Sequence, residues 1–277
     1  MQINEQEYMV LTGIIQSRSG LYFDKTKEYY VCSRVAQRMK VLHCVSVDDY
    51  LKIVKKDSLF HELDILIESL TTNETYFYRE INQLTTCIQD IVPQVMKKKR
   101  SELSNTLRFW SAGCSIGCEP YTIALLLKET VSGLEQWNVQ IIGTDISNKA
   151  LEYARQGIYS EQLIKDVPCL IKKKYFREVS HKKWETSQDI KRMVEFKSIN
   201  LINEEQVSSM RGFDFVFCRN VIIYFDKDTS KYVLNLMYDS ITDGGYIFLG
   251  HSESISRFSD LFKLQRINDS LVYHKTK

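Results

Sequence analysis

The chain has 277 residues, 26% of them charged, with a formal net charge of +2, which gives no bulk electrostatic footprint for nucleic acid. Its length weakly favours two domains, and no run of about 18 apolar residues offers a membrane span. The seven cysteines form no Cys-x-x-Cys pair, so reduced thiols are expected rather than a disulfide framework, and no metal site.

The amino terminus, Met1-Gln2-Ile3-Asn4-Glu5, has neither the basic nor the apolar region of a secretory signal, and a cytoplasmic location is the expectation. Four amphipathic helices follow. Tyr8, Leu11, Ile14 and Ile15 mark the first, with Gly20 as its stop, and Val31, Val35, Ala36 and Met39 mark the second. Ser46 can cap a third carrying Tyr50, Leu51 and Val54, and Leu59, Leu63, Leu66 and Leu70 mark a fourth. Short polar joints between them predict a helical bundle over residues 1–80. On the second helix Lys27, Arg34 and Arg38 form a basic stripe, either a solvated face or a docking surface for an acidic partner helix. A linker helix over 81–105 ends in Lys97-Lys98-Lys99-Arg100, read as a solvated face, and Pro93 interrupts or restarts it.

From residue 106 to 277 strands and helices alternate. The strands are expected at 107–111, 139–144, 194–199, 213–218 and 245–250. Ser147 and Asp226 can cap the helices after the second and fourth strands, and Asp243-Gly244-Gly245 turns the chain into the fifth. Two further apolar pieces flank Asn268-Asp269-Ser270 as a hairpin, and the Lys-rich stretch at about 160–192 reads as a small inserted subdomain. The fold class is therefore α/β: an all-helical amino-terminal domain, then a Rossmann-like domain whose mostly parallel sheet ends in an antiparallel edge hairpin.

The chemistry concentrates at Gly113-Cys114-Ser115-Ile116-Gly117, a tight turn between the first strand and a helix. Such a turn holds nucleotide-like ligands, and Asp145, closing the next strand, can accept both hydroxyls of a ribose. The same loop fits Gly-x-Ser-x-Gly, the elbow of α/β-hydrolases, with His251 downstream; only helices precede it, however, and no His-Gly-Gly oxyanion loop exists. A nicotinamide enzyme would want Gly-x-Gly-x-x-Gly, and the middle position is Ser115. A phosphate-free cofactor such as S-adenosylmethionine fits more easily.

Several separated motifs then carry a resemblance. Thr72-Asn73-Glu74-Thr75, Phe77, Arg79-Glu80, Ser111-Ala112-Gly113-Cys114-Ser115, Glu119-Pro120-Tyr121, Thr144-Asp145-Ile146 and Asn200-Leu201 are followed in order by Phe213-Asp214, Phe217-Cys218-Arg219-Asn220-Val221, Ile223-Tyr224-Phe225-Asp226 and Gly250-His251-Ser252-Glu253. Over essentially the whole chain these resemble the chemotaxis receptor glutamate methyltransferases, the CheR family. The resemblance implies an S-adenosylmethionine-dependent O-methyltransferase that esterifies glutamates on cytoplasmic helices of methyl-accepting chemoreceptors, yielding S-adenosylhomocysteine. It also implies a monomer, with no nucleic acid partner and no insertion into the membrane.

By motif position Asn73, Thr75, Arg79, Gly113, Ser115, Glu119, Asp145, Asn200, Leu201, Cys218, Arg219 and Asn220 are the expected cofactor contacts, Glu119 for the methionyl ammonium and Asp145 for the ribose. Arg79 and Tyr224 are the expected catalytic pair, facing the transferred methyl, while His251 is expected to pack or to support. The resemblance turns Lys27, Arg34 and Arg38 into a receptor-docking face. Two departures from the family pattern stand out. Cys118 occupies the place of the first of two acids before Pro120, and Arg177 to Trp184 lacks the glycines of relatives that dock on a receptor's carboxyl-terminal tether, which implies a tether-independent enzyme. Two other readings remain: a non-catalytic module that binds the same cofactor, and an amine or nucleic-acid methylator, whose Asn-Pro-Pro-Tyr turn is only loosely matched by Asn220 to Tyr224.

Overall fold

A computed structural model describes residues 3–56, 61–71, 74–254 and 261–276. The chain forms two compact units, Met1–Thr72 with Tyr224–Thr229, and Asn73–Ile223 with Ser230–Lys277. The division falls before the expected boundary at residue 80, and the segment expected as a linker, 81–105, belongs to the second unit.

In the first unit, α1 (Glu5–Ser19), α2 (Glu28–Val41), α3 (Val47–Lys56) and α4 (His61–Leu70) match the four expected helices. Asn4 and Glu7 form a reciprocal capping box at the start of α1, and Gly20, left-handed at φ 78°, ends it. Tyr8, Leu11, Ile15, Val31, Val35, Met39, Tyr50, Leu51, Val54, Leu63 and Leu66 are buried on the facing stripes. Leu59 lies outside the described residues. The returning segment 224–229 joins this unit through Tyr22 N–H donating to the Tyr224 carbonyl at 2.8 Å and Gln16 Nε2 donating to Asp226 Oδ2 at 2.7 Å. Asp226 Oδ1 caps the helix that follows, accepting from Thr229 N–H at 2.8 Å.

The second unit opens with α5 (Ile81–Thr85) and α6 (Val92–Ser101), joined by a π turn at Thr86–Ile91. Pro93 lies in the first turn of α6, where the α-helix restarts after the π turn, a position at which its missing N–H and its ring are tolerated. The basic run at 97–100 is not uniformly solvated, because Lys99 Nζ donates to the buried Asp214 carboxylate at 2.7 Å.

Then come β1 (Thr106–Ala112), α7 (Cys118–Thr130), β2 (Asn138–Asp145), α8 (Asn148–Gln156), β3 (Ile158–Ser160), α9 (Cys169–Tyr175), β4 (Phe176–Ser180), β5 (Lys183–Thr186), α10 (Gln188–Lys191), β6 (Val194–Ser198) and α11 (Glu204–Ser208). After them run β7 (Phe213–Cys218), α12 (Lys227–Ser240), β8 (Ile241–Leu249), β9 (Lys263–Ile267) and β10 (Ser270–His274).

Seven strands form one sheet in the order β6-β2-β1-β7-β8-β10-β9. The first five are parallel, and β10 and β9 are the antiparallel edge hairpin. Its centre is aromatic, with Phe109 stacked on Phe215 and Phe217 on Phe248 at centroid distances of 4.8 and 4.7 Å. β3, β5 and β4 make a separate antiparallel sheet, the expected small subdomain.

The fifth parallel strand corrects the expected turn at Asp243-Gly244-Gly245. Strand β8 already starts at Ile241 and runs through those residues as a bulge, with Gly244 at φ 82° and a register shift against β7 between Phe213 and Phe215. Chain order reverses at β1 and β7, and the crevice beyond their carboxyl ends is where sheets of this kind bind ligands.

Candidate active site

The turn after β1 is left-handed three times, at Gly113 (φ 75°), Ser115 (49°) and Gly117 (87°). A Cβ at Gly113 would lie 2.4 Å from Val221 Cγ2, so a side chain there would displace the loop after β7. Ser115 holds this strained conformation without being glycine because its N–H donates to Asp145 Oδ2 at 2.8 Å. The other oxygen, Oδ1, accepts from Ser147 N–H at 2.9 Å, so the carboxylate closing β2 is oriented from both sides. Next to it, Ile199 N–H donates to the Asp145 carbonyl at 3.1 Å, which brings Asn200 and the buried Leu201 beside the end of β2. Asn200 Oδ1 accepts from Ile202 N–H at 3.3 Å.

Across the switch point sits a buried ion cluster. The Arg219 side chain is 2% exposed and donates from Nη1 to Glu119 Oε2 at 2.9 Å and from Nη2 to Glu80 Oε2 at 3.2 Å and to the Arg79 carbonyl at 2.9 Å. Glu119 Oε1 also accepts from Ser111 Oγ at 2.7 Å. His251 is 74% exposed with Nε2 3.8 Å from Glu80 Oε2, so it sits over this cluster rather than packing. Around the turn acid exceeds base: Glu80, Glu119 and Asp145 against Arg219 and Arg79. Burial, together with the charges of Asp145 and Glu119, pushes the Cys114 thiol well up, and burial together with Glu253 and Glu119 does the same to Cys218. Neither offers a thiolate for nucleophilic chemistry.

Segment 74–80 is fixed to this cluster. Phe77 packs edge-on against Tyr159 and Phe176, and Tyr78 N–H donates to Thr122 Oγ1 on α7 at 3.2 Å. Tyr78 and Glu80 are both left-handed, at φ 66° and 50°, and Arg79 is turned out between them with Nη1 donating to the Glu74 carbonyl at 2.6 Å. Asn73 lies outside the described residues. Thr75, Arg79, Gly113, Ser115, Glu119, Asp145, Asn200, Leu201, Cys218, Arg219 and Asn220 all belong to the second unit. Tyr224 belongs to the first, with its backbone paired to Tyr22.

The basic stripe on α2 divides into three situations. Arg38 is not a free surface cation: it donates to both Glu62 oxygens at 2.9 and 2.6 Å, and Tyr50 Oη donates to the same carboxylate at 2.8 Å. Arg34 lies over the Tyr30 ring at 5.3 Å. Lys27 is exposed but precedes α2, in the 3-10 turn Lys25–Lys27, so the helical spacing does not extend to it.

Three side chains at the site had no role in the sequence reading: Ser111, Glu80 and Glu253. All three stand within the quoted motifs, but Glu80 pairs with Arg219, 139 residues on, and Glu253 accepts mainly from backbone N–H groups 30 to 33 residues earlier.

The family model described as the CheR methyltransferase SAM binding domain matches residues 73–270, and the CheR methyltransferase all-alpha domain matches residues 6–71. A chemotaxis protein methyltransferase 2 from Vibrio cholerae is 34% identical over 99% of this chain and 94% of its own length. A chemotaxis protein methyltransferase from Borreliella burgdorferi is 35% identical over 92% of this chain and 90% of its own. Among solved structures, the N-methyltransferase NodS from Bradyrhizobium japonicum with S-adenosyl-L-homocysteine is 12% identical with a TM-score of 0.37, covering 67% of this chain and 85% of its own. Matched along both of its units, the chain belongs to the CheR methyltransferase family.

Proposed function

We propose that this protein is a protein-glutamate O-methyltransferase that esterifies glutamate side chains on cytoplasmic helices of methyl-accepting chemoreceptors. The observation that carries the reading is the acidic crevice at the β1/β7 switch point, with Asp145 and Glu119 both oriented by hydrogen bonds.

The chemistry of that crevice fits S-adenosylmethionine. The cofactor carries a sulfonium, an ammonium and one carboxylate, a net positive charge, and the crevice carries an excess of negative side chains; a phosphate-bearing nucleotide would meet repulsion instead. A carboxylate offers about four acceptor directions, so Asp145 can anchor the turn and also take ribose hydroxyls. Glu119, held by Arg219 and Ser111, suits the ammonium. Asn73, Thr75, Arg79, Gly113, Ser115, Asn200, Leu201, Cys218 and Asn220 would complete the lining. When bound, the cofactor supplies a methyl group on positively charged sulfur, with a neutral thioether as leaving group.

A substrate glutamate, whose unperturbed carboxyl has a pKa of about 4.3, is already anionic at neutral pH, so the site needs no general base. This agrees with the raised thiols of Cys114 and Cys218, which supply none. What the protein contributes is alignment and exclusion of water, which can supply a large share of the barrier. Arg79 and the Tyr224 hydroxyl would hold one carboxylate oxygen while the other attacks. Lys27 and Arg34 would meet the acidic face of a receptor helix, whereas Arg38 contributes through Glu62 to the fold of the bundle. The turn between β4 and β5 is only His181-Lys182, which supports action without a tether. We further infer a cytoplasmic monomer; among the described residues no helix is long and apolar enough to cross a membrane.

Incubation with methyl-labelled cofactor and chemoreceptor membranes, followed by peptide mapping, tests the reading. Label on receptor glutamates is expected, and label confined to lysine or arginine would overturn it.

A further inference from the structure

The Glu253 carboxylate accepts four backbone N–H groups. Its Oε2 takes those of Asn220 at 2.9 Å and Gly250 at 2.7 Å, and its Oε1 takes those of Val221 at 2.9 Å and Ile223 at 3.2 Å. Three of the four belong to the loop leaving β7, and the fourth to the residue after β8. The side chain thus ties together two adjacent strand ends on the crevice side of the sheet.

The surroundings are shaped for this carboxylate. A Cβ at Gly250 would lie 2.9 Å from Glu253 Oε2 and 2.8 Å from Asn220 Nδ2, so only glycine lets the two strand ends close on it. Asn220 is held left-handed at φ 59°, a conformation that persists only where the surroundings fix it. Burial pushes the Glu253 carboxyl up while the four N–H groups pull it down, as expected where desolvation is met by backbone donors rather than by a cation.

We propose that Glu253 is a positioning residue for the cofactor end of the site. By fixing the backbone from Asn220 to Ile223, it holds the immediately preceding Arg219 where its guanidinium can bridge Glu119 and Glu80. Val221, which packs on Gly113, is held by the same carboxylate, so the loop after β7 and the turn after β1 keep one relative placement. Glu253 touches neither reacting atom. It acts through Arg219 and Glu119, and the inference rests on the cofactor reading given above.

Glu253→Gln tests it with little change in shape. Whichever way the amide is turned, its NH2 faces one pair of N–H groups, leaving them without an acceptor, while Glu253→Asp keeps the charge on a shorter arm. Two measurements on the full chain are needed: amide hydrogen exchange by NMR, and calorimetric titration with S-adenosylmethionine. In Glu253→Gln, either the Asn220 and Gly250 pair or the Val221 and Ile223 pair should exchange faster by about tenfold. The cofactor dissociation constant and KM should rise by about tenfold with kcat at saturation retained, and Glu253→Asp should restore part of the affinity. Faster exchange with unchanged cofactor affinity would overturn the positioning role, and unchanged exchange would overturn the clamp itself. An unsubstituted chain that takes up no S-adenosylmethionine would instead contradict the proposed function and the cofactor half of this inference, while amide exchange reports on the clamp alone.

Discussion

Asp145→Asn separates the cofactor-binding role of this residue from its structural one. The carboxylate accepts from Ser115 N–H at 2.8 Å and Ser147 N–H at 2.9 Å, and the asparagine amide can satisfy only one of the two. A hydrogen bond to a charged acceptor is worth about 1.5–3 kcal/mol, so the substitution should raise the S-adenosylmethionine dissociation constant by about 10- to 100-fold. Some of that loss comes from loosening the left-handed Ser115 turn, and it would appear with any ligand. The ribose contribution is isolated by repeating the calorimetry with a 2′-deoxyribose analogue of the cofactor. If Asp145 takes the ribose hydroxyls, the two changes should couple, their combined effect falling short of the sum by about 1 kcal/mol. Additive losses would refute the ribose assignment, and unchanged affinity for the parent cofactor would remove Asp145 from the site altogether.

Other outcomes follow from the same geometry. Arg38→Ala leaves the Glu62 carboxylate, 7% exposed, without its cation and should cost about 3 kcal/mol in urea unfolding of the whole chain. Lys27→Glu with Arg34→Glu should raise the KM for receptor several-fold, most strongly at low salt, with cofactor affinity unchanged; equal loss of both would indicate misfolding. Tyr224→Phe should lower kcat by about tenfold or more with little effect on the cofactor dissociation constant. In native protein near neutral pH the exposed Cys169 should react with a thiol reagent, whereas Cys87, Cys114, Cys118 and Cys218, buried and raised, should react only on unfolding.

Much of the fold is legible locally because its signals are local. Short apolar runs place β1, β2, β6 and β7 within a residue or so, Ser147 and Asp226 cap the helices that follow β2 and β7, and Gly113 and Gly117 mark the turn where both prove left-handed. Features that depend on distant partners are not legible in this way. Lys99 looks like one more cation in a solvated run, yet it pairs with Asp214, 115 residues on. Arg38 has the spacing of a surface stripe, but its partner Glu62 sits on another helix. The Arg219 guanidinium reaches Glu119 and Glu80 across 100 and 139 residues, separations at which no spacing rule operates. The bulge in β8 is hidden for a related reason: Asp-Gly-Gly is also a turn signal, and pairing with β7 decides between the two.

Alkali treatment of labelled product reports most directly on whether the acceptor is a carboxylate already charged for attack. After incubation of this protein with methyl-labelled S-adenosylmethionine and chemoreceptor membranes, raising the pH should release the label from the receptor band as volatile methanol, the signature of a glutamate ester. Label that stays on the receptor through base would place the methyl on nitrogen and contradict the account.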